Sequence, residues 1–147
     1  MLFRSKRGVV VNLASTNPTV WNKSKPTFSG RPTDAVIYEL HVRDLSMDKS
    51  APFPTSVRGK FLGLTYSNLK GSSGQPVGVK AIKDLGVTHI QLLPIYDYAS
   101  VDELKPTFNW GYDPQNYNVP EGSYSSDPKN PKARITELKQ EIGRAHV

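Results

Sequence analysis

A parallel α/β fold is predicted by three features of residues 35–95. The run Ala35-Val36-Ile37-Tyr38-Glu39-Leu40-His41-Val42 alternates, with Val36, Tyr38, Leu40 and Val42 on one face and Ile37, Glu39 and His41 on the other, which is the period of a strand. Val79, Ile82 and Leu85 recur at helical spacing, and Gly86 follows where a helix commonly stops in the left-handed conformation. Val87-Thr88-His89-Ile90-Gln91-Leu92-Leu93-Pro94-Ile95 then reads as a second strand. A strand, a crossover helix and a second strand form a unit whose strands pair in parallel. Two such strands cannot bury both faces of a sheet, and all-parallel sheets occur with several strands and with helices on both sides. The sequence therefore predicts the opening portion of a larger α/β domain.

The remaining elements follow in chain order. Gly8-Val9-Val10-Val11-Asn12-Leu13 is short, apolar and β-branched, so a strand is predicted, closed by the turn cluster Ser15-Thr16-Asn17-Pro18. Residues 18–33, with Pro18, Pro26 and Pro32 among mixed polar residues, read as a linker. Residues 46–76 carry Pro52, Pro54, Gly59, Gly63, Gly71, Gly74 and Pro76 and are predicted to be a long excursion. A second long loop is predicted over 97–131, and a helix begins near Lys132, with Ile135 and Leu138 three apart.

Composition excludes several classes. The 147 residues include 37% hydrophobic and 22% charged residues, enough for a packed core. No apolar run reaches the length of a membrane span, and with no cysteine there is neither a disulfide framework nor a thiolate metal site. The net charge of +6 arises within residues 1–33, which hold six Lys and Arg and no acid; the rest of the chain balances thirteen of each sign. Without groove-reading or stacking elements, that excess does not make a nucleic-acid face. The compartment is left open.

The two ends read as processing scars. Met1 to Ser5 can be encoded by GTGCTCTTCCGATCT, with GTG as start, and Glu141 to Val147 by a stretch containing its reverse complement, AGATCGGAAGAGCAC, which looks like a common sequencing adapter. The expectation is that residues 1–5 and 141–147 are scars and that the natural protein continues beyond both.

Phe108-Asn109-Trp110-Gly111-Tyr112-Asp113-Pro114-Gln115-Asn116-Tyr117 is the densest functional signal, and it follows the C-terminal end of the second strand, where α/β proteins bind ligands. Flat rings beside amide and carboxylate groups suit a sugar, with its apolar C–H faces and fringe of hydroxyls. The competing reading is that Trp110 and Tyr112 pack the loop onto the sheet. Other polar residues offer less. Glu39 and Asp44 fit hydrogen-bonding or capping roles better than catalysis. His89, at the start of its strand, reads as structural, and His41, His89 and His146 lack metal-ligand spacing. Asp97, Asp102 and Glu103 form no oxygen-rich calcium loop of the EF-hand type. Gly71-Ser72-Ser73-Gly74 lacks the Gly-Lys-Ser/Thr of a phosphate loop.

These blocks carry a resemblance. Ala35 to Asp44 (AVIYELHVRD) resembles the first barrel strand of type I pullulanases, α-1,6-debranching glycoside hydrolases of family 13 in the α-amylase superfamily. Thr88 to Tyr98 (THIQLLPIYDY) resembles their second strand, and Asn109-Trp110-Gly111-Tyr112-Asp113-Pro114 resembles their active-site loop. Gly8 to Asn17 is similar to the handover from their N-terminal β-sandwich. The resemblance implies the first two βα units of a (β/α)8 TIM barrel, preceded by the last strand of a β-sandwich. Residues 6–17 would end the β domain, 18–33 would link, and 34–140 would open the catalytic domain. It further implies that Tyr112 stacks on a glucose unit beside the scissile bond, with Trp110, Asp113 and Asn109 shaping the substrate site. The partner would be an α-glucan such as pullulan, amylopectin or glycogen. No cofactor is required, and calcium in the parent is left open. Family enzymes use a carboxylate nucleophile and a carboxylic acid donor, both on later strands, so no catalytic residue is expected within this chain. Alone it should be inactive and fold poorly. Isoamylase, branching enzyme, α-amylase and a non-catalytic α-glucan-binding module are the alternatives; a basic interaction protein ranks last.

Overall fold

A computed structural model describes residues 8–19, 21 and 26–145, with the side chains of residues 144 and 145 excluded. The expected scar at 1–5, Lys6, Arg7 and His146 lie outside the described residues.

The parallel unit is present. Strand β1 (Ile37–Leu40) pairs with β2 (His89–Leu92) in parallel, in the register Ile37 to His89 through Leu40 to Leu92. The amide of Leu93 extends the ladder by donating to the carbonyl of Leu40 at 2.8 Å. Between the strands run a short helix α1 (Asp44–Met47), 3₁₀ turns at Thr55–Val57 and Phe61–Thr65, and helix α2 (Val79–Asp84). Gly86 has φ +78°, the left-handed stop expected behind α2. Ile82 is buried and Val79 partly so, whereas Leu85, expected on the same face, caps the helix and is exposed. The helix ends one residue before Leu85 can turn inward.

The excursion after β1 supplies much of the core. Phe61 and Leu64 join Leu40, Val42, Ile82, Tyr98, Val101 and Tyr124 in one buried cluster, and Phe53 and Val57 are buried as well. Burial along β1 is uneven: Leu40, His41 and Val42 are covered, whereas Ile37 is 61% exposed and Glu39 also faces solvent, contrary to its expected hydrogen-bonding role. Asp44 opens α1 and pairs with Arg43 at 3.0 Å.

Two expectations need correction. Residues 8–12 are not a strand. Val10 is fully exposed, and the Asn12 side chain accepts from the Ala14 amide at 3.0 Å to start a 3₁₀ turn, Leu13–Thr16. A β-branched run becomes a strand only against a neighbour, and among the described residues none pairs with it; the 3₁₀ turn that follows lies against helix α3 (Pro131–Ala145). Nor is 97–131 a plain loop. Strands β3 (Tyr96–Tyr98) and β4 (Pro114–Pro120) form an antiparallel pair with irregular register. The prolines of β4 sit at its two ends, where a missing N–H is tolerated, and they disguise it in the sequence. The described residues thus hold two two-stranded sheets, a small α/β assembly. Helix α3 continues through Glu141, which is buried.

Candidate functional site

The aromatic segment leaves β3, crosses the C-terminal end of β2 and returns as β4. Its closest approach is at Gly111, whose φ is +88° and where a Cβ would lie 2.7 Å from the Pro94 carbonyl oxygen and 2.8 Å from the Tyr98 ring. Only glycine fits there. The Asn109 side chain fixes the turn, its Oδ1 accepting from the Gly111 amide at 2.7 Å while its Nδ2 donates to Ser100 Oγ at 2.9 Å. Ser100 also holds Asp113: the Ser100 amide and hydroxyl both donate to Asp113 Oδ2, at 3.0 and 2.5 Å. The Ala99 amide donates to the Asp113 carbonyl at 2.8 Å. The Ser100 hydroxyl, ahead of the other contacts, holds the Asp113 carboxyl below the usual carboxylate range.

Four predicted residues therefore come together with different parts. Asn109 and Asp113 are tied inward to Ser100, whereas Trp110 and Tyr112 point out, 62% and 71% exposed. Trp110 meets Phe108 edge-on at 5.0 Å between centroids, and Tyr117, on β4, is equally exposed. Trp110 keeps a packing contact with Phe108, while most of both outward rings is uncovered among the described residues. An apolar face with polar groups beside it remains available to a ligand.

Beneath the loop lies a buried polar layer. Tyr98 donates from its hydroxyl to the Pro94 carbonyl, and the Tyr98 and Tyr124 hydroxyls are 2.9 Å apart. Burial raises both phenols, Tyr124 to about 12. Glu121, fully buried, accepts from the Tyr98 and Ser123 amides at 2.7 and 2.8 Å and so pins the end of β4 to β3; burial raises its carboxyl. Asp97, Glu103 and Glu121 bring carboxylate oxygens within 4.8 Å of one another. Each is engaged: Arg134 grips Glu103 with both terminal nitrogens, and Asn116 donates to Asp97 at 2.5 Å. Asp102 faces its own turn, accepting from the Leu104 amide at 3.0 Å. His89 is exposed at the start of β2, 2.8 Å from the Thr88 hydroxyl.

Sequence reasoning missed Ser100 and His41 as supports of this loop. Ser100 sits in no motif, and the His41 contact spans 68 residues, so no local pattern signals it. The Asn-x-Gly turn, by contrast, is visible in the order Asn109-Trp110-Gly111.

No family model matches the chain. It is 45% identical over 128 residues to the pullulanase of Bacillus subtilis (strain 168), an alignment covering 86% of this chain and 17% of that protein. It is similar to the crystal structure of pullulanase from Paenibacillus barengoltzii in complex with maltohexaose and alpha-cyclodextrin, with 58% identity and TM-score 0.86 over 93% of this chain and 22% of the other. Pullulanase from Bacillus acidopullulyticus gives 44% identity and TM-score 0.88 over 96% and 17%. The chain thus spans between 17% and 22% of the length of these relatives.

Proposed function

From the premise that this chain belongs to the pullulanase family (glycoside hydrolase family 13), of which it spans a part, we propose that the protein containing it hydrolyses α-1,6-glucosidic branch linkages in pullulan-, starch- or glycogen-type α-glucans. In this reading β1 and β2 are the first two strands of a (β/α)8 barrel of about 250 residues. Residues 34–140 open that barrel, 6–17 end a preceding β domain and 18–33 link the two. The observation that carries the reading is the outward pair Trp110 and Tyr112, set on a turn that Asn109 and Asp113 anchor to Ser100 beyond the end of β2. Tyr112 would stack on a glucose ring while Trp110, Asn109 and Asp113 shape its surroundings. The maltohexaose and alpha-cyclodextrin bound by the Paenibacillus barengoltzii relative support an α-glucan as ligand.

A retaining glycosidase needs a nucleophile and an acid about 5–5.5 Å apart, both reaching the scissile bond. The clustered acids of this chain do not qualify. Glu103 is neutralised by Arg134, and Glu121 is sealed from solvent while holding two backbone amides. As membership of the family implies, the reacting carboxyls lie on later strands in the remainder of the protein, and this chain supplies substrate grip.

The test is reducing-sugar release from pullulan. The full-length protein should release it, and Tyr112→Ala should lower kcat/KM at least tenfold, about 1.4 kcal/mol of lost transition-state stabilisation. The 147-residue chain alone should release none. Activity of that chain above a Tyr112→Ala control overturns the assignment of the acids. Glucan affinity in the full-length protein without any hydrolysis would favour a binding module instead.

A further inference from the structure

We infer that His41 is the positioning residue for the sugar-facing turn: it sets the height and angle of Trp110 and Tyr112 through the backbone of Asn109. The inference rests on the functional reading above and names a residue of strand-end β1 that acts on a loop 68 residues away.

His41 follows β1 directly and is buried. Its Nε2 lies 2.8 Å from the Asn109 carbonyl oxygen. A carbonyl oxygen can only accept, so Nε2 carries a hydrogen and donates it. The neighbouring hydroxyls agree with that direction. Tyr98 donates to the Pro94 carbonyl, so its oxygen receives the Tyr124 hydrogen. The Tyr124 oxygen, 3.3 Å from Nε2, is then free to take a weaker share of the same N–H. The ring has a second hold on the loop, stacking on Phe108 at 5.1 Å and 25°. Arg43 covers Phe108 from 5.8 Å, while Asp44 lies 3.9 Å from Nδ1.

His41 thus grips two consecutive residues, Phe108 through its ring face and Asn109 through its carbonyl. The next residues are the outward Trp110, the glycine that must thread past Pro94, and Tyr112. Ser100 holds the same turn from the other side, through Asn109 Nδ2 and Asp113. A turn fixed on one side can still pivot; fixed on both, its rings are preorganised, which spares the ligand the cost of ordering them. His41 needs no contact with sugar to do this.

The test uses the full-length protein containing this segment. Kd for maltotriose is measured by calorimetry and pullulan kinetics are recorded for His41→Phe, His41→Gln, Tyr112→Ala and the His41→Phe/Tyr112→Ala double variant. Phe keeps a ring for Phe108 and loses the donor, leaving the part-buried Asn109 carbonyl without it; Gln offers an amide donor near the Nε2 position. We expect His41→Phe to raise Kd and KM about tenfold, with a much smaller change in kcat, and His41→Gln to recover most of that loss. In the Tyr112→Ala background the His41→Phe effect should largely vanish, because the ring it positions is gone. A fully additive double variant, or a His41→Phe protein that binds maltotriose normally, overturns the inference. If His41→Phe fails to fold, a His41→Leu/Tyr112→Ala cycle against His41→Leu, which also removes the donor, decides on the same criterion. Unchanged binding in Tyr112→Ala overturns the sugar-site reading itself, an outcome distinct from failure at His41.

Discussion

At Gly111 a single hydrogen in place of a side chain lets the aromatic turn pass the end of β2. A methyl group there would meet the Pro94 carbonyl at 2.7 Å and hold an L residue at φ +88°. Gly111→Ala is expected to destabilise the fold by about 3 kcal/mol, combining backbone strain with a clash against rigid neighbours; the urea midpoint reads this directly. Ser100 works in the opposite way, by what it donates. Ser100→Ala should let the Asp113 carboxyl titrate nearer its ordinary range. Because the folded value is depressed, the Asp113 contribution to stability is present above the unfolded pKa and lost as pH falls through the folded one. The acid limb of the stability profile should therefore flatten in Ser100→Ala, and a limb identical to the parent would refute that role. Little of this was legible in the residues themselves. Asn109 and Gly111 announce a turn, but Ser100 and His41 acquire meaning only when distant strands bring them to the loop.

Elements were legible where a period governs them. Alternation found β1, helical spacing with Gly86 found α2, and an apolar run found β2, because each sets apolar residues on one face, of which Leu40, Ile82, Ile90 and Leu92 reach the core. The β3–β4 pair was not legible, since β4 is mostly exposed, is bounded by prolines and has no alternation to read. The valines at 9–11 misled for the converse reason, having strand propensity without a partner. What holds β3 to β4 is partly the Glu121 carboxylate, and Glu121→Ala would strand the amides of Tyr98 and Ser123. A loss of about 3 kcal/mol is expected, with faster proteolysis between residues 99 and 113. Helix α3 carries a pH response of the other sign. Burial pushes Glu141 up to about 7, and its Oε2 has no hydrogen-bond partner. The folded chain therefore keeps that proton to higher pH than the unfolded one. The Glu141 contribution to stability should be full below about pH 4.5 and be lost by about pH 7, up to about 3 kcal/mol. The helix content of the 147-residue chain, read by circular dichroism, should be higher at pH 5 than at pH 8, and Glu141→Gln should remove most of the difference.

For the whole molecule, the uneven cover of β1 matters most. Leu40 and Val42 are enclosed, but Val36, Ile37 and Tyr38 remain in solvent among the described residues. Such a row of apolar strand residues is what further strands and helices of a parallel sheet cover. The isolated chain is accordingly expected to bind an apolar dye and to melt over a broad temperature range, whereas the full-length protein should do neither. A sharp melt without dye binding would show that these residues suffice as a unit. That two strands are too few for a parallel sheet is the physical argument, independent of any relative, for expecting more of the domain around them.

Lys139 on α3 donates to the Leu13 carbonyl, the Thr16 hydroxyl and the Asn17 side chain at 2.7–2.8 Å, closing a ring across 126 residues of chain. With the β1–β2 ladder and the shared core, this clasp would keep the two pieces together if a protease severed the exposed bend around residues 72–75. Gel filtration under native conditions would show one peak, and only denaturing electrophoresis would reveal the nick.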